Sequence, residues 1–226
     1  MKYYKYETHM HTSECSACAH ASAEEQVAFY ARMGYSGIII TDHFFNGNTT
    51  VPDDLSWGEK VERLGLGYEN ALEAGKKEGI DVFFGFEYSF RGTDFLVYGL
   101  SLEWLEKNPQ IMELEHWDFC DYVRSLGALV IHAHPFSEAA GRIKEIRLLP
   151  RKVDGVEVFN ANRSDFENKR ALEYAKNYNL IKTAGSDNHI GFMQNKLAGI
   201  KTKEKIECIE DFIDIVKHGE FKIFTN

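Results

Sequence analysis

Short apolar runs alternate with longer amphipathic stretches along this chain, which predicts strands alternating with helices. Gly37-Ile38-Ile39-Ile40-Thr41 is β-branched and apolar on both faces, the pattern of a fully buried strand. A first strand is expected over residues 4–9, and further ones over 82–86, 95–98, 128–132, 155–159 and 180–184. Between them, Ser22 caps a helix with Glu25 at the reciprocal position, and Gly34 is placed to end it. Residues 57–77 and 117–125 read as helices, and Ser164 with Glu167 opens another capping box. Thr202 is expected to cap a last helix reaching about residue 217. The rhythm predicts an α/β fold with a mainly parallel sheet, closed or nearly closed into a barrel of six to eight strands.

The chain has 226 residues, 44% of them hydrophobic, enough for the core of one large domain. With no internal repeat or long linker, residues 1–226 read as a single domain. A net charge of -9 argues against a nucleic-acid partner, which needs a basic surface. Small phosphorylated molecules stay open, because bound cations reverse the local field. No apolar run is long enough to predict a membrane span, and residues 1–7 lack the apolar stretch of a signal peptide. Four cysteines are too few for a disulfide scaffold, so a cytoplasmic location is expected. Cys15-Ser16-Ala17-Cys18 has the C-x-x-C form, but no second such pair accompanies it.

Polar residues gather where the predicted strands end. His9 and His11 follow the first, Asp42 and His43 the second, and Glu87 the third apolar run. His132 and His134, Asn160 and Asn162, and Asp187 and His189 close later ones. Any one such histidine is ordinarily a hydrogen-bonded structural residue. Five strand ends agreeing is different, because successive strand ends of a barrel converge on one mouth. Two residues spaced two apart on an extended strand share a face, which puts His9 beside His11 and His132 beside His134. Imidazoles and carboxylates in this number exceed the needs of one zinc ion and suggest a cluster of metals.

His9-Met10-His11-Thr12, Thr41-Asp42-His43, Gly85-Phe86-Glu87, Ala133-His134-Pro135 and Gly185-Ser186-Asp187-Asn188-His189 occur in the order seen in the PHP (polymerase and histidinol phosphatase) superfamily. The chain resembles that family from His9 to about Ile200. The resemblance implies a distorted (β/α)7 TIM-like barrel with two or three divalent ions (zinc, manganese or iron) at its mouth. His9, His11, His43, Glu87, His134, Asp187 and His189 match its ligand positions, with Glu87 bridging two metals. Many members carry one more Asp or His ligand soon after the H-x-H. Glu14 is the nearest carboxylate here and is taken for that place, with His20 as the alternative. Three-metal members also carry a histidine on the strand after the glutamate. Residues 95–99 hold none, leaving Asp94 or His132 as substitutes.

The resulting expectation is a phosphoesterase acting on a small phosphate monoester by a metal-bridging hydroxide, with Asp187 and His189 as catalytic residues. Arg142 and Arg163, in loops after predicted strands, are candidates for forked phosphate contacts or ordinary surface arginines. Residues 44–67 are a candidate specificity loop. Rival readings are a phosphodiesterase or nuclease, an amidohydrolase-like C–N hydrolase, and a non-catalytic metal-binding module. The amidohydrolase reading ordinarily needs a carboxylated lysine on a middle strand, where this chain has Glu87.

Overall fold

The structure, a computed structural model, describes residues 3–138 and 145–226. Among them, nine strands form one sheet: β1 (Tyr4–Glu7), β2 (Gly37–Ile40), β3 (Asp81–Phe90), β4 (Thr93–Tyr98), β5 (Leu129–Ala133), β6 (Gly155–Asn160), β7 (Ile181–Gly185), β8 (Ala198–Thr202) and β9 (Phe221–Thr225). Their order is β7-β6-β5-β4-β3-β2-β1-β8-β9. The sheet curls into a nearly closed barrel. At the seam, Thr8 Oγ1 donates to Ala184 O at 2.8 Å, and Asp187 N donates to His9 O at 2.7 Å.

Alternation along the strands explains this closure. Ile39, Leu96, Tyr98, Leu129 and Ile131 pack together on the inner face. Their neighbours Ile38 and Ile40 pack outward under α1 (Ala23–Arg32) and α2 (Trp57–Glu78). Val97 and Val130 face outward beside Phe119 and Val123 of α4 (His116–Ser125) and Ala171 and Ala175 of α5 (Asp165–Asn177). The inner group also takes in Phe212, Ile213 and Val216 of α6 (Ile209–His218). A strand buried on both faces has no polar side to give up, which accounts for the unbroken apolar runs.

Two features depart from the expected (β/α)7 rhythm. β3 and β4 form an antiparallel hairpin through Arg91 and Gly92, both at positive φ, and β4 also runs antiparallel to β5. Thr202 does not cap a helix: it ends β8, which pairs antiparallel with β1 and β9, and Cys208 caps α6 instead. Other starts agree with expectation. Capping boxes open α1 at Ser22 and α5 at Ser164, and Gly34 follows α1 at φ 74°.

α2 lies so close to the barrel mouth that it needs glycine at position 67. A Cβ there would strike Thr12 Oγ1 and stand 2.5 Å from Asp42 Oδ2. Neither can yield cheaply, because Asp42 accepts from Thr12 N, Thr12 Oγ1 and Ser16 Oγ at 2.6–2.7 Å. Alanine is the better helix former by about 1 kcal/mol. Overpacking of about 1–3 kcal/mol should outweigh that gain. Gly67→Ala is therefore expected to lower the denaturation midpoint; a raised midpoint would show that α2 has room to move.

Candidate metal centre

The strand ends bring His9, His11, His43, Glu87, His134, Asp187 and His189 into one buried cluster at the barrel mouth. Three triads have donor atoms all within 4.8 Å of one another: His11, His43 and His189; His9, Glu87 and His134; and His9, His11 and Asp187. Glu87, a member of the second, also reaches His43 of the first. Its Oε1 lies 3.2 Å from His134 Nε2 and 3.4 Å from His9 Nε2, while Oε2 lies 2.9 Å from His43 Nδ1. Asp187 Oδ1 lies 3.4–3.5 Å from His9, His11 and His189, and Oδ2 lies 3.1 Å from Arg163 Nη2.

Local backbone supplies this arrangement. His134 and Asp187 have φ of 26° and 52°, values uncommon outside glycine. At His134 the turn breaks the two-residue parity expected with His132. His132 therefore stays with the outer packing, stacked on Phe95 at 5.2 Å between ring centroids and edge-on to Tyr174. Burial and the neighbouring His134 push its pKa down to about 3. The cluster does not include it. Gly185 permits the approach of β7 to the first strand's end, since a Cβ there would stand 2.5 Å from His9 Cβ and 2.7 Å from Glu157 Oε1.

The other predicted positions divide. Glu14 is not in the cluster: its carboxylate accepts from Ala23 N at 3.0 and 3.1 Å, serving the start of α1. An acceptor at a helix start satisfies an otherwise orphaned N–H, which gives this carboxylate a structural use. His20 is exposed. Asp94 lines the cavity over the cluster but joins none of the three triads. Arg163 lines the same cavity, whereas Arg142 lies outside the described residues. Asn46, Gly47 and Asn48 also border it, so the early part of the 44–67 segment reaches the site; from Trp57 onward that segment is α2.

Glu157 and the role of Ser16 escaped the sequence reading, while Asp42, Asn160, Asn162 and Cys18, named there without a role as ligands, stand as supporting contacts. Glu157 Oε1 accepts from or faces His9 Nδ1 at 2.9 Å, and its Oε2 accepts from His134 N at 3.0 Å and Asn160 Nδ2 at 2.9 Å. A lone carboxylate inside the apolar run Gly155-Val156-Glu157-Val158-Phe159 was the available signal, since a buried charge needs partners. Asp42 holds Ser16, whose Oγ lies 3.0 Å from His11 Nδ1. Asn162 Nδ2 donates to Asp187 O, and His189 Nδ1 faces the same oxygen at 2.8 Å. Cys18 Sγ stands 3.2 Å from His43 Nε2.

Electrostatics follow from packing carboxylates among imidazoles. Burial opposes a charged His9, yet Glu157, Asp187 and Glu87 outweigh it and hold its pKa well above the usual value. Burial likewise opposes charge on His43, His134 and His189, but Glu87 with Cys18 raises His43, Glu87 with Asp187 raises His134, and Asp187 with Cys18 raises His189. His11 goes the other way, lowered by burial and by the nearby His189 and His43 rings. Burial would raise Glu87 and Asp187, but the rings around them keep both well below the carboxylate range. Burial raises the Cys18 thiol, and contact with His189 and His43 overrides it to bring the pKa to about 6. Glu87 Oε1 and His43 Nδ1 are buried without an aligned hydrogen-bond partner, although His43 Nδ1 is 2.9 Å from Glu87 Oε2. Such a donor set fits divalent cations, with imidazole and carboxylate suited to zinc, manganese or iron.

The fold and this cluster define an α/β barrel with a histidine–carboxylate cluster at its mouth that could hold metal ions. A family model described as the PHP domain matches residues 7–223, and the chain belongs to that family. An uncharacterized protein of Methanocaldococcus jannaschii is 40% identical over 83 residues, a match spanning 34% of this chain and 35% of that protein. Among solved structures, a Bacteroides vulgatus two-domain protein containing a predicted PHP-like metal-dependent phosphoesterase superimposes with a TM-score of 0.74 at 16% identity. That superposition covers 99% of this chain and 65% of the other. A Bifidobacterium adolescentis protein described as a candidate metal-dependent phosphoesterase gives 0.55 at 16% identity, covering 94% and 95% of the two chains. An amidohydrolase of Chromobacterium violaceum gives 0.54 at 13%, covering 96% and 97%. These structures share the fold.

Two outcomes test the centre. A ligating imidazole must be neutral, so ions should displace protons from the raised His9, His43, His134 and His189. Affinity is then expected to rise with pH, and calorimetry in buffers of different ionisation enthalpy should show proton release; equal heats would refute it. Glu157→Gln removes the charge behind His9 and should weaken metal affinity by about 10–100-fold. Competition with a chromophoric chelator measures that loss.

Proposed function

We propose that this protein is a metal-dependent phosphoesterase that hydrolyses a small phosphate monoester. The observation that carries the reading is the placement of Arg163 on the carboxylate shared by the metal centre, at the wall of a compact cavity. That cavity has a volume of about 290 Å³ and is lined by His43, Glu87, His134, Arg163, Asp187 and His189. It suits a phosphoryl group carrying a small alcohol. A net charge of -9 favours such a substrate over a nucleic-acid strand.

His9, His11, His43, Glu87, His134, Asp187 and His189 would hold two or three divalent ions. Bound there, the ions supply Lewis acidity to phosphoryl oxygens and lower the pKa of a water towards ~7. Glu87 faces two donor triads with its two oxygens and so fits a bridging role. Asp187 and His189 take the catalytic positions. Asp187 faces three rings and Arg163 at once, and the His189 Nδ1 contact with a carbonyl leaves Nε2 for the cavity. Arg163, partly exposed, presents a guanidinium that stabilises charge on non-bridging oxygens. No lysine lines the cavity among the described residues, which favours this reading over an amidohydrolase with a carboxylated lysine. No described helix is long and apolar enough to cross a membrane; we place the protein in the cytoplasm, where its four free thiols stay reduced.

The test is phosphate release from a panel of monoesters by protein reconstituted with manganese or zinc, against a chelated control. Metal-dependent release is expected, abolished in a folded Asp187→Ala variant. Arg163→Lys should lose about tenfold or more in kcat/KM, because an ammonium cannot reproduce a forked contact. Release only from diesters or amides, or from the chelated control, would reject the reading.

A further inference from the structure

Cys18 belongs to no motif of the predicted ligand set, yet it borders the same cavity as His43 and His189. Its loop is pinned on both sides. Ala17 N donates to Asn48 O at 2.8 Å, Ala19 N to Ser16 O at 3.0 Å, and His20 N to His189 O at 2.7 Å. The thiol consequently meets two rings: His43 Nε2 at 3.2 Å, and the His189 side chain by a further hydrogen bond. Cys15, the other half of the C-x-x-C, is buried with its sulfur facing His43 O and Thr49, so the pair does not act as one unit.

The surroundings point to a cation. His43 and His189 share a triad of donors within 4.8 Å with His11. Glu87, 1% exposed, brings its Oε2 to 2.9 Å from His43 Nδ1, a buried nitrogen without an aligned hydrogen-bond partner. Zinc–sulfur and zinc–nitrogen bonds of about 2.3 and 2.0–2.1 Å at a tetrahedral angle put sulfur and nitrogen ~3.5 Å apart. The observed 3.2 Å between Cys18 Sγ and His43 Nε2 needs only a small shift to match.

Resting on the metal-centre reading above, we propose that the Cys18 sulfur is itself a metal ligand, sharing one ion with His43 and His189. That ion's site is a mixed nitrogen–sulfur one, whereas the site around His9, Glu87 and His134 is nitrogen–oxygen. As the metal–sulfur bond forms, the thiol proton leaves to solvent or buffer, and no electrons change hands. Thiolate favours borderline-soft ions, so this position selects zinc or iron(II) over manganese, while its neighbour accepts harder ions. The two positions of one centre therefore differ in metal preference.

The test uses cobalt(II) as an optical probe in metal-free full-length protein under anaerobic, reducing conditions. The exposed Cys208 is first replaced by serine to remove an adventitious thiol. Cobalt loading is expected to produce an intense near-ultraviolet thiolate-to-cobalt absorption that Cys18→Ser abolishes. Zinc affinity at one site should fall by at least the ~10–100-fold typical of losing a supporting ligand contact. Cys18→Asp, checked like the serine variant for native circular dichroism, should keep the bound-ion count but shift preference towards manganese. Cobalt bound at full stoichiometry without the absorption, or with one that persists in Cys18→Ser, overturns the thiolate ligand alone. Protein that binds no cobalt overturns the metal centre and this proposal together.

Discussion

Two buried carboxylates, Glu87 and Asp187, sit within 4 Å of five imidazoles, and the rest of the barrel mouth is organised around that fact. An uncompensated ion in such a place would be prohibitive, so charge must be balanced locally by protons, by Arg163 or by cations. The raised histidines can perform that balancing as protonated rings. Once those protons leave, the same rings offer nitrogens that could hold a cation. One set of side chains thus supports two charge states, and the supporting shell of Glu157, Asp42, Ser16 and Asn160 keeps the rings oriented in both.

Much of this was legible in the chain because strand ends and chemistry coincide. The runs ending at Ile40, Ala133 and Gly185 are short and apolar, so the first polar residues after them had to lie at the mouth. His43, His134, Asp187 and His189 were readable on that ground. What could not be read depends on turns and neighbours. His132 and His134 share parity on paper, but the positive φ of His134 sends the two rings to different sides of the sheet. Glu14 looked like a ligand by proximity to His11, and only the placement of α1 shows its carboxylate occupied by Ala23 N–H.

The departures in topology have a similar origin. The hairpin of β3 and β4 and the short strands β8 and β9 leave the apolar rhythm nearly unchanged while reversing chain direction. Direction is set by turn geometry at Arg91 and Gly92, which a hydrophobicity pattern does not encode. Glu157 shows the converse case, a charge in a buried strand whose partner His9 is 148 residues away.

The seam of the barrel gives the centre a second consequence. Among the described residues no ladder joins β1 to β7; the gap between their ends is crossed by Thr8 to Ala184, Asp187 to His9 and the bridge of Met10 with Asn188. His9 and His11 stand on one side of that gap, and Asp187 and His189 on the other. Any ion held by both pairs fastens the first strand to the seventh like a clasp, joining parts of the chain that meet only late in sequence. The loop closure that such a clasp enforces is long, and closing long loops is where a crosslink removes the most freedom from an unfolded chain. A metal-filled cluster would in that sense also be the buckle of the barrel.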